Sequence, residues 1–316
     1  MEAAKKIPLV VVAGPTASGK TEAAIRICQW FNGEVVSADS MQIYKYLSVG
    51  TAKPDEAEKE GIPHHLMDFL EPSQPFSVAE YVEMAKERIA DIHSRGKLPV
   101  IVGGTGLYID SLVNNIQFTE SEGDPALREQ LQNYAAEHGN EALWNLLNEK
   151  DPEAAANVHF NNVGRVIRAI EMIETTGKTK TEQLKESRRE PSPYNTLYLA
   201  LNYRDRETLY DRINRRVYIM LENGLEEEAR FLLEHGYAPT AAQAIGYKEM
   251  FGYLKGEETL EEAIEKIQQG SRRYAKRQLT WFRRNENVLW LYPDDFAERK
   301  EFLAKVKETV SQWMQL

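Results

Sequence analysis

Ile7-Pro8-Leu9-Val10-Val11-Val12-Ala13-Gly14-Pro15-Thr16-Ala17-Ser18-Gly19-Lys20-Thr21 is the stretch on which the fold turns. Its opening, Ile7 to Ala13, is an unbroken apolar run rich in valine. It is strand-length and lacks the alternation of a half-exposed strand, so it fits a parallel strand buried on both faces. Gly14 to Thr21 then matches G-x-x-x-x-G-K-[ST] in full, and residues 21–31 follow with helical spacing, Ala24, Ile27, Cys28 and Phe31 sharing one side. Strand, glycine loop and helix in that order are the context in which the pattern means a phosphate loop. Glycines let the backbone approach an anion closely, and successive amides at the helix N-terminus cradle its oxygens. Gly14, Pro15, Thr16, Ala17, Ser18, Gly19, Lys20 and Thr21 are therefore read as a phosphate or diphosphate site. Lys20 adds a mobile positive charge there and Thr21 offers its hydroxyl to Mg²⁺.

Working outward, residues 34–38 and 98–102 read as further buried strands, the second preceded by a helix over 78–94. Strands alternating with helices imply a mostly parallel sheet covered on both faces. From Asp124 to about Glu190 the chain turns polar and helical, and strand-like residues return at 195–201 after Pro191 and Pro193. Helices follow over 206–223, 225–235 and 260–284, with a last strand at 287–291. The fold class is thus α/β: a P-loop NTPase-like core, 1–114 and 195–316, interrupted by an inserted, mostly helical domain at 115–194.

The 316 residues, 42% hydrophobic and 28% charged, are ordinary for a globular protein of about two domains. No apolar run is long enough for a membrane helix, so no membrane partner is expected. Lys5 and Lys6 before an apolar run resemble a signal peptide, but the phosphate loop follows at once, and the run is the first strand. Cys28, the sole cysteine, cannot form an internal disulfide, which suits a reducing cytoplasm. His64-His65 point apart on a strand and lack further ligands, so zinc is not expected. A net charge of −10 argues weakly against nucleic acid, yet the basic residues are clustered. Residues 271–284 contain no acid: Arg272, Lys276 and Arg283 share one helix side, Arg273, Arg277 and Arg284 the next. A basic stripe backed by Tyr274, Leu279 and Phe282 suits an RNA backbone; it is equally the pattern of a solvated structural helix.

Ser37-Ala38-Asp39-Ser40-Met41-Gln42-Ile43-Tyr44 ends the second strand and should lie beside the phosphate loop. Asp39 there can be a general base, a Mg²⁺ ligand or a helix cap. The strand at 98–102 runs into Gly103-Gly104-Thr105-Gly106 with no carboxylate at its end, which speaks against an ordinary ATPase.

Taken together and in order, Gly14–Thr21, Asp39-Ser40-Met41-Gln42, Gly103-Gly104-Thr105-Gly106-Leu107-Tyr108, Arg165-Val166-Ile167-Arg168-Ala169, Gln243-Ala244-Ile245-Gly246-Tyr247-Lys248 and Lys276-Arg277-Gln278-Leu279-Thr280-Trp281 resemble the tRNA dimethylallyltransferase (tRNA isopentenyltransferase) family across essentially the whole chain. The resemblance implies transfer from dimethylallyl diphosphate to N6 of the adenosine just 3′ of the anticodon, with diphosphate in the phosphate loop and Mg²⁺ as cofactor. It implies Asp39 as the base, Thr105 beside the reacting region, and an arginine on the diphosphate, with Arg212 preferred over Arg206 and Arg216. It also implies contacts with the tRNA anticodon stem-loop from Asp39, Ser40, Met41, Gln42 and Thr105. Gly164, Arg165, Val166, Ile167 and Arg168 in the insert would add to these, with Gln243, Gly246, Tyr247, Lys248, Lys276, Arg277, Gln278, Trp281 and Arg283 further on. The chain ends at Leu316 with no zinc-finger module, as in the bacterial type, and nothing calls for more than a monomer. A P-loop kinase shares Gly14–Thr21 but leaves the basic helix and the insert unexplained. A nucleotide-switched RNA-binding protein would bind RNA without forming a product.

Overall fold

The computed structural model describes residues 6–118, 123–187, 189–237, 240–241 and 244–315. The apolar runs become β1 (Ile7–Ala13), β2 (Gly33–Ser37), β4 (Leu98–Gly103) and β5 (Tyr194–Leu201), with two short additions, β3 (His64–His65) and β6 (Leu289–Leu291). They form one sheet in the order β3-β2-β4-β1-β5-β6, parallel at every pairing. Val10 of β1 lies opposite Val100 on one side and Leu197 on the other.

Such a sheet needs cover on both faces, and the period of two decides what each residue meets. Leu9, Val11 and Ala13 face one core with Tyr81, Ile89, Ile109 and Phe282. Val10 and Val12 face the other, with Ala23, Ile27, Phe302 and Val306. The first cover is built from α3 (Val78–Ser94) and α4 (Gly106–Val113), the second from α1 (Lys20–Phe31) and the C-terminal α14 (Arg299–Met314); a single turn, α2 (Glu56–Lys59), precedes β3. The start of α3 is set by a reciprocal cap: Ser77 Oγ accepts from the Glu80 amide at 3.2 Å, and the Glu80 carboxylate accepts from the Ser77 amide at 2.7 Å.

Among the described residues, one charged side chain is buried within the sheet. Glu34 on β2 is 2% exposed and accepts from both terminal nitrogens of Arg95 at 2.6 and 2.8 Å. Lys97 and His65 complete its shell at 2.6 and 2.8 Å. The Arg95 hydrogen bonds, then Lys97 and His65, hold its carboxyl far below the usual carboxylate range. β3 thus owes its place to a pairing no local pattern announces.

The described residues divide into two compact units: Met1–Val113 with Pro193–Leu316, and Asn114–Ser192. The second unit consists of α5 (Pro125–His138), α6 (Asn140–Lys150), α7 (Pro152–Ala156), α8 (Val163–Thr176) and α9 (Lys180–Ser187) around Leu131, Leu143, Leu147, Val166 and Ile170. Asp124 caps α5 by accepting from the Leu127 amide at 3.0 Å, and Pro125 follows at the first helical position. In the first unit, α10 (Arg206–Glu222), α11 (Leu225–His235), α12 (Tyr247–Leu254) and α13 (Leu260–Phe282) pack a third core around Ile43, Tyr44 and Leu47. That core ties the segment after β2 to the C-terminal helices.

Candidate active site

At the carboxyl edge of the sheet three chain segments meet, as open parallel sheets require of a ligand site. The phosphate loop follows β1. Gly19 caps α1 at φ 87°, and a Cβ on Gly14 would stand 2.6 Å from the Leu201 carbonyl oxygen, so neither position tolerates a side chain. Lys20 Nζ donates to the Pro15 carbonyl at 3.2 Å. Its pKa is lowered to about 8 by burial, with Asp39 pulling it up and Arg216 pushing it further down. Ser18 Oγ is buried with no protein partner.

The second segment leaves β2 at Ser37. Asp39 Oδ1 accepts from the amides of Met41 at 2.9 Å and Gln42 at 3.4 Å, so the carboxylate is the cap of its own turn. That contact occupies one oxygen and leaves the other. The third segment is the Gly103–Gly106 turn: a Cβ on Gly103 would come within 2.1 Å of the Ala38 carbonyl oxygen, which is why the ends of β2 and β4 can lie so close. Thr105 sits behind Ser40, accepting from its amide at 3.0 Å and donating to its hydroxyl at 3.3 Å.

These segments line a cavity of about 610 Å³ that also takes in Arg216 of α10 and Tyr274 of α13. Lys20, Thr21, Asp39, Ser40, Met41 and Gln42 share its wall. Lys248, Lys266, Arg273 and Arg277 line it and are solvent-exposed, so they form a basic rim. Of the three candidate arginines, only Arg216 lines the cavity. Burial lowers its pKa, with the charges of Glu58 and Asp39 opposing. Arg212 instead braces the phosphate loop from outside, its Nε donating to the Ala17 carbonyl at 3.0 Å. Arg206 turns to the Tyr210 hydroxyl at 2.7 Å.

The expected RNA contacts separate into surface and scaffold. Gly164, Arg165 and Arg168 are exposed on α8, whereas the side chains of Val166 and Ile167 are buried in the core of the helical unit. Arg168 donates to the fully buried Glu171 at 2.6 Å, a carboxylate shared with Arg128. Tyr247 is buried with its hydroxyl on Glu228 at 2.8 Å, and Gly246 is buried as the cap of α12. Gln278 bridges two loops, accepting from the Thr16 amide at 3.3 Å and donating to the Gly104 carbonyl at 3.0 Å. Trp281 donates from its indole nitrogen to Asp110 at 2.6 Å and packs on Gly106. Both therefore brace α13, and Gln278 also lines the cavity; Lys276 and Arg283 are exposed on the same helix. Gln243 lies outside the described residues. Sequence reasoning missed Tyr274, which it read only as a core anchor, and Glu228, whose partners lie about 180 residues earlier and leave no local signal.

Cys28 is buried on the inner face of α1, its thiol pushed up to about 12 by burial and then by Glu34, the environment of a structural rather than a reactive cysteine. His64 lines the cavity with Nδ1 on the Ile62 carbonyl at 2.8 Å. No described helix is long and apolar enough to cross a membrane.

A complete phosphate loop at the carboxyl edge of an all-parallel sheet, with a carboxylate and a buried arginine in the same cavity, places the chain among P-loop α/β enzymes that act on a phosphorylated substrate. The family is narrower than that class. The model described as "IPP transferase" matches residues 42–285, and the chain belongs to this family. The tRNA dimethylallyltransferase of Acetivibrio thermocellus is 51% identical over 301 residues, covering 95% of this chain and 96% of its own. That of Bacillus velezensis is 50% identical over 301 residues, covering 94% and 95%. Among solved structures, the full-length tRNA isopentenylpyrophosphate transferase of Bacillus halodurans superposes with a TM-score of 0.73 at 43% identity, covering 98% of both chains. A eukaryotic dimethylallyltransferase described as acting on tRNA superposes with a TM-score of 0.78 at 32% identity, covering 90% of this chain and 74% of that one.

Proposed function

We propose that this chain transfers the dimethylallyl group of dimethylallyl diphosphate to N6 of the adenosine just 3′ of a tRNA anticodon, releasing diphosphate. The observation that carries the reading is the joining of the phosphate loop and Asp39 in one cavity whose rim is basic. The relatives' names, tRNA dimethylallyltransferase throughout, favour it over a kinase.

In this mechanism the loop amides, Lys20 and Arg216 hold the diphosphate and take up the negative charge that grows as the allylic C–O bond breaks. An anion beside Lys20 restores the charge that burial weakens. N6 attacks the freed allylic carbon, forming the C–N bond, and its proton passes to the free oxygen of Asp39. The amides of Met41 and Gln42 fix that carboxylate before substrate arrives. Among the described residues no group of three or more His, Cys, Asp or Glu could hold a metal. The Thr21 hydroxyl beside a diphosphate fits Mg²⁺, which keeps several waters and leans on substrate phosphates. When bound, Mg²⁺ supplies further neutralisation of the leaving group.

The rim residues Arg273, Arg277, Lys248 and Lys266, with Lys276 and Arg283 on α13, supply the backbone contacts of the anticodon arm. Gly164, Arg165 and Arg168 supply others from the helical unit. An unpaired loop adenine is cheap to unstack, which suits a target that must enter a cavity. We assign the protein to the cytoplasm as a monomer. The test incubates it with Mg²⁺, dimethylallyl diphosphate and unmodified tRNA bearing an A-rich anticodon loop, followed by nucleoside mass spectrometry. An isopentenyl-adenosine peak that Asp39→Ala suppresses is the expected result. Absence of the peak with a validated tRNA, together with ATP turnover, overturns the reading.

A further inference from the structure

The turn after Leu47 has no side chain that reaches an obvious substrate, yet Gly50, Thr51 and Ala52 line the cavity. Its backbone is held by a carboxylate from far along the chain. Glu228 of α11 accepts from the consecutive amides of Ser48 at 2.9 Å, Val49 at 2.9 Å and Gly50 at 3.2 Å. A run of amides converging on one anion is the arrangement by which backbone nests bind phosphate; here the anion is built in. The Tyr247 hydroxyl donates to the same carboxylate at 2.8 Å. Its ring lies so close that a Cβ on Gly50 would stand 2.6 Å from it, so this glycine is required by contact rather than by torsion.

What the turn does in exchange is visible on its carbonyl side. Gln42 Nε2 donates to the carbonyls of Thr51 and Ala52, each at 3.2 Å. With both amide hydrogens so engaged, Oε1 is the acceptor end; it takes a long hydrogen bond from Ser37 Oγ at 3.4 Å and keeps a second lone pair, on a residue that lines the cavity next to the Asp39 turn. An unheld glutamine amide can present either end; this one cannot without leaving two carbonyls unpaired. Through Asp39 Oδ1, which accepts from the Gln42 amide at 3.4 Å, the same residue is tied to the proposed base.

We propose that Glu228 is a positioning residue for the acceptor substrate, acting through the turn at 48–52 on the orientation of the Gln42 side chain. The hydrogen bonds of this chain end at Asp39 and do not reach the phosphate loop. The inference rests on the prenyl-transfer reading, and its test separates the two. Steady-state kinetics with tRNA and dimethylallyl diphosphate are measured for the full chain, Glu228→Gln, Gln42→Ala and the double variant, with Tyr247→Phe as a milder perturbation of the same carboxylate.

Glu228→Gln is expected to raise the tRNA KM about tenfold, with the diphosphate KM within about twofold, because two partners in one network couple strongly. In the Gln42→Ala background the same substitution adds at most about twofold, and Tyr247→Phe alone gives a smaller shift in the same parameter. Fold-changes that multiply in the double variant overturn the inference, as does an equal rise in both KM values. If Glu228→Gln does not fold, Tyr247→Phe paired with Gln42→Ala decides by the same criterion. No transfer by the unaltered chain would instead sink the functional reading itself.

Discussion

The cavity has two kinds of wall. Around the phosphate loop the ligand-facing groups are backbone amides and half-buried side chains whose positions are set by the sheet. Along α12 and α13 the rim is made of exposed lysines and arginines: Lys248, Lys266, Arg273 and Arg277. A small, compact anion rewards rigid, desolvated donors, because every bond is made at fixed distance and in low dielectric. A long polyanion rewards several loosely held cations, since each released counterion adds its share wherever the phosphate lies. The contrast teaches where mutations should act on chemistry and where on docking.

The largest expected effect is at Asp39. Its replacement by alanine should lower kcat by about 10²–10⁴-fold while leaving the diphosphate KM nearly unchanged, since a base contributes to the transition state alone. A comparable rise in both KM values would mean the carboxylate is chiefly a cap. Next comes the arginine pair. Arg216→Ala should raise the diphosphate KM by about 10–100-fold, the weight of a charge-assisted bond, with Arg212→Ala well behind it. The reverse order would show that bracing the loop from outside outweighs contact within.

A smaller effect is one of pH. Lys20, depressed to about 8, binds the diphosphate best when protonated, so affinity should be flat below that pH and fall as pH rises through it. A diphosphate KM indifferent to pH between 7 and 9.5, measured at one fixed saturating tRNA concentration, would remove Lys20 from the binding step. The mildest change belongs to the rim. Arg277→Ala should weaken tRNA binding uniformly and reduce the slope of log K against log salt by about 0.7–0.9, one phosphate contact's worth. No change in slope would make Arg277 a solvated side chain stacked near Tyr274.

How much of this the sequence disclosed follows the same division. β1 was legible to the residue and α1 to within one, starting at Lys20 rather than Thr21, because a buried strand and a glycine loop write their geometry locally. The helix over residues 78–94 was equally plain, and its Ser77–Glu80 cap explains why. The strand expected over 287–291 shortens to Leu289–Leu291, and β3 was not foreseen, since edge strands hold by pairing and by the remote Glu34 cage rather than by composition. At the site, spacing identified which helix was basic but not which of its residues turn inward. Nothing in a string of letters says that Gln278 and Trp281 brace the helix; their hydrogen bonds to Gly104 and Asp110 exist only once the sheet is closed. Sequence could not say which of Arg206, Arg212 and Arg216 lines the cavity for the same reason, all three lying on α10.

The pinning of α13 has one more consequence, for its rotational phase. Gln278 and Trp281 fasten the helix to the turn at Gly104–Gly106, so every residue before them inherits a fixed azimuth. Each residue of an α-helix advances the direction by about 100°. One alanine inserted between Arg277 and Gln278 would keep every charge on the helix yet swing Arg273 and Arg277 about a quarter turn away from the cavity. A protein of nearly unaltered composition and charge would then read the wrong side of its own helix.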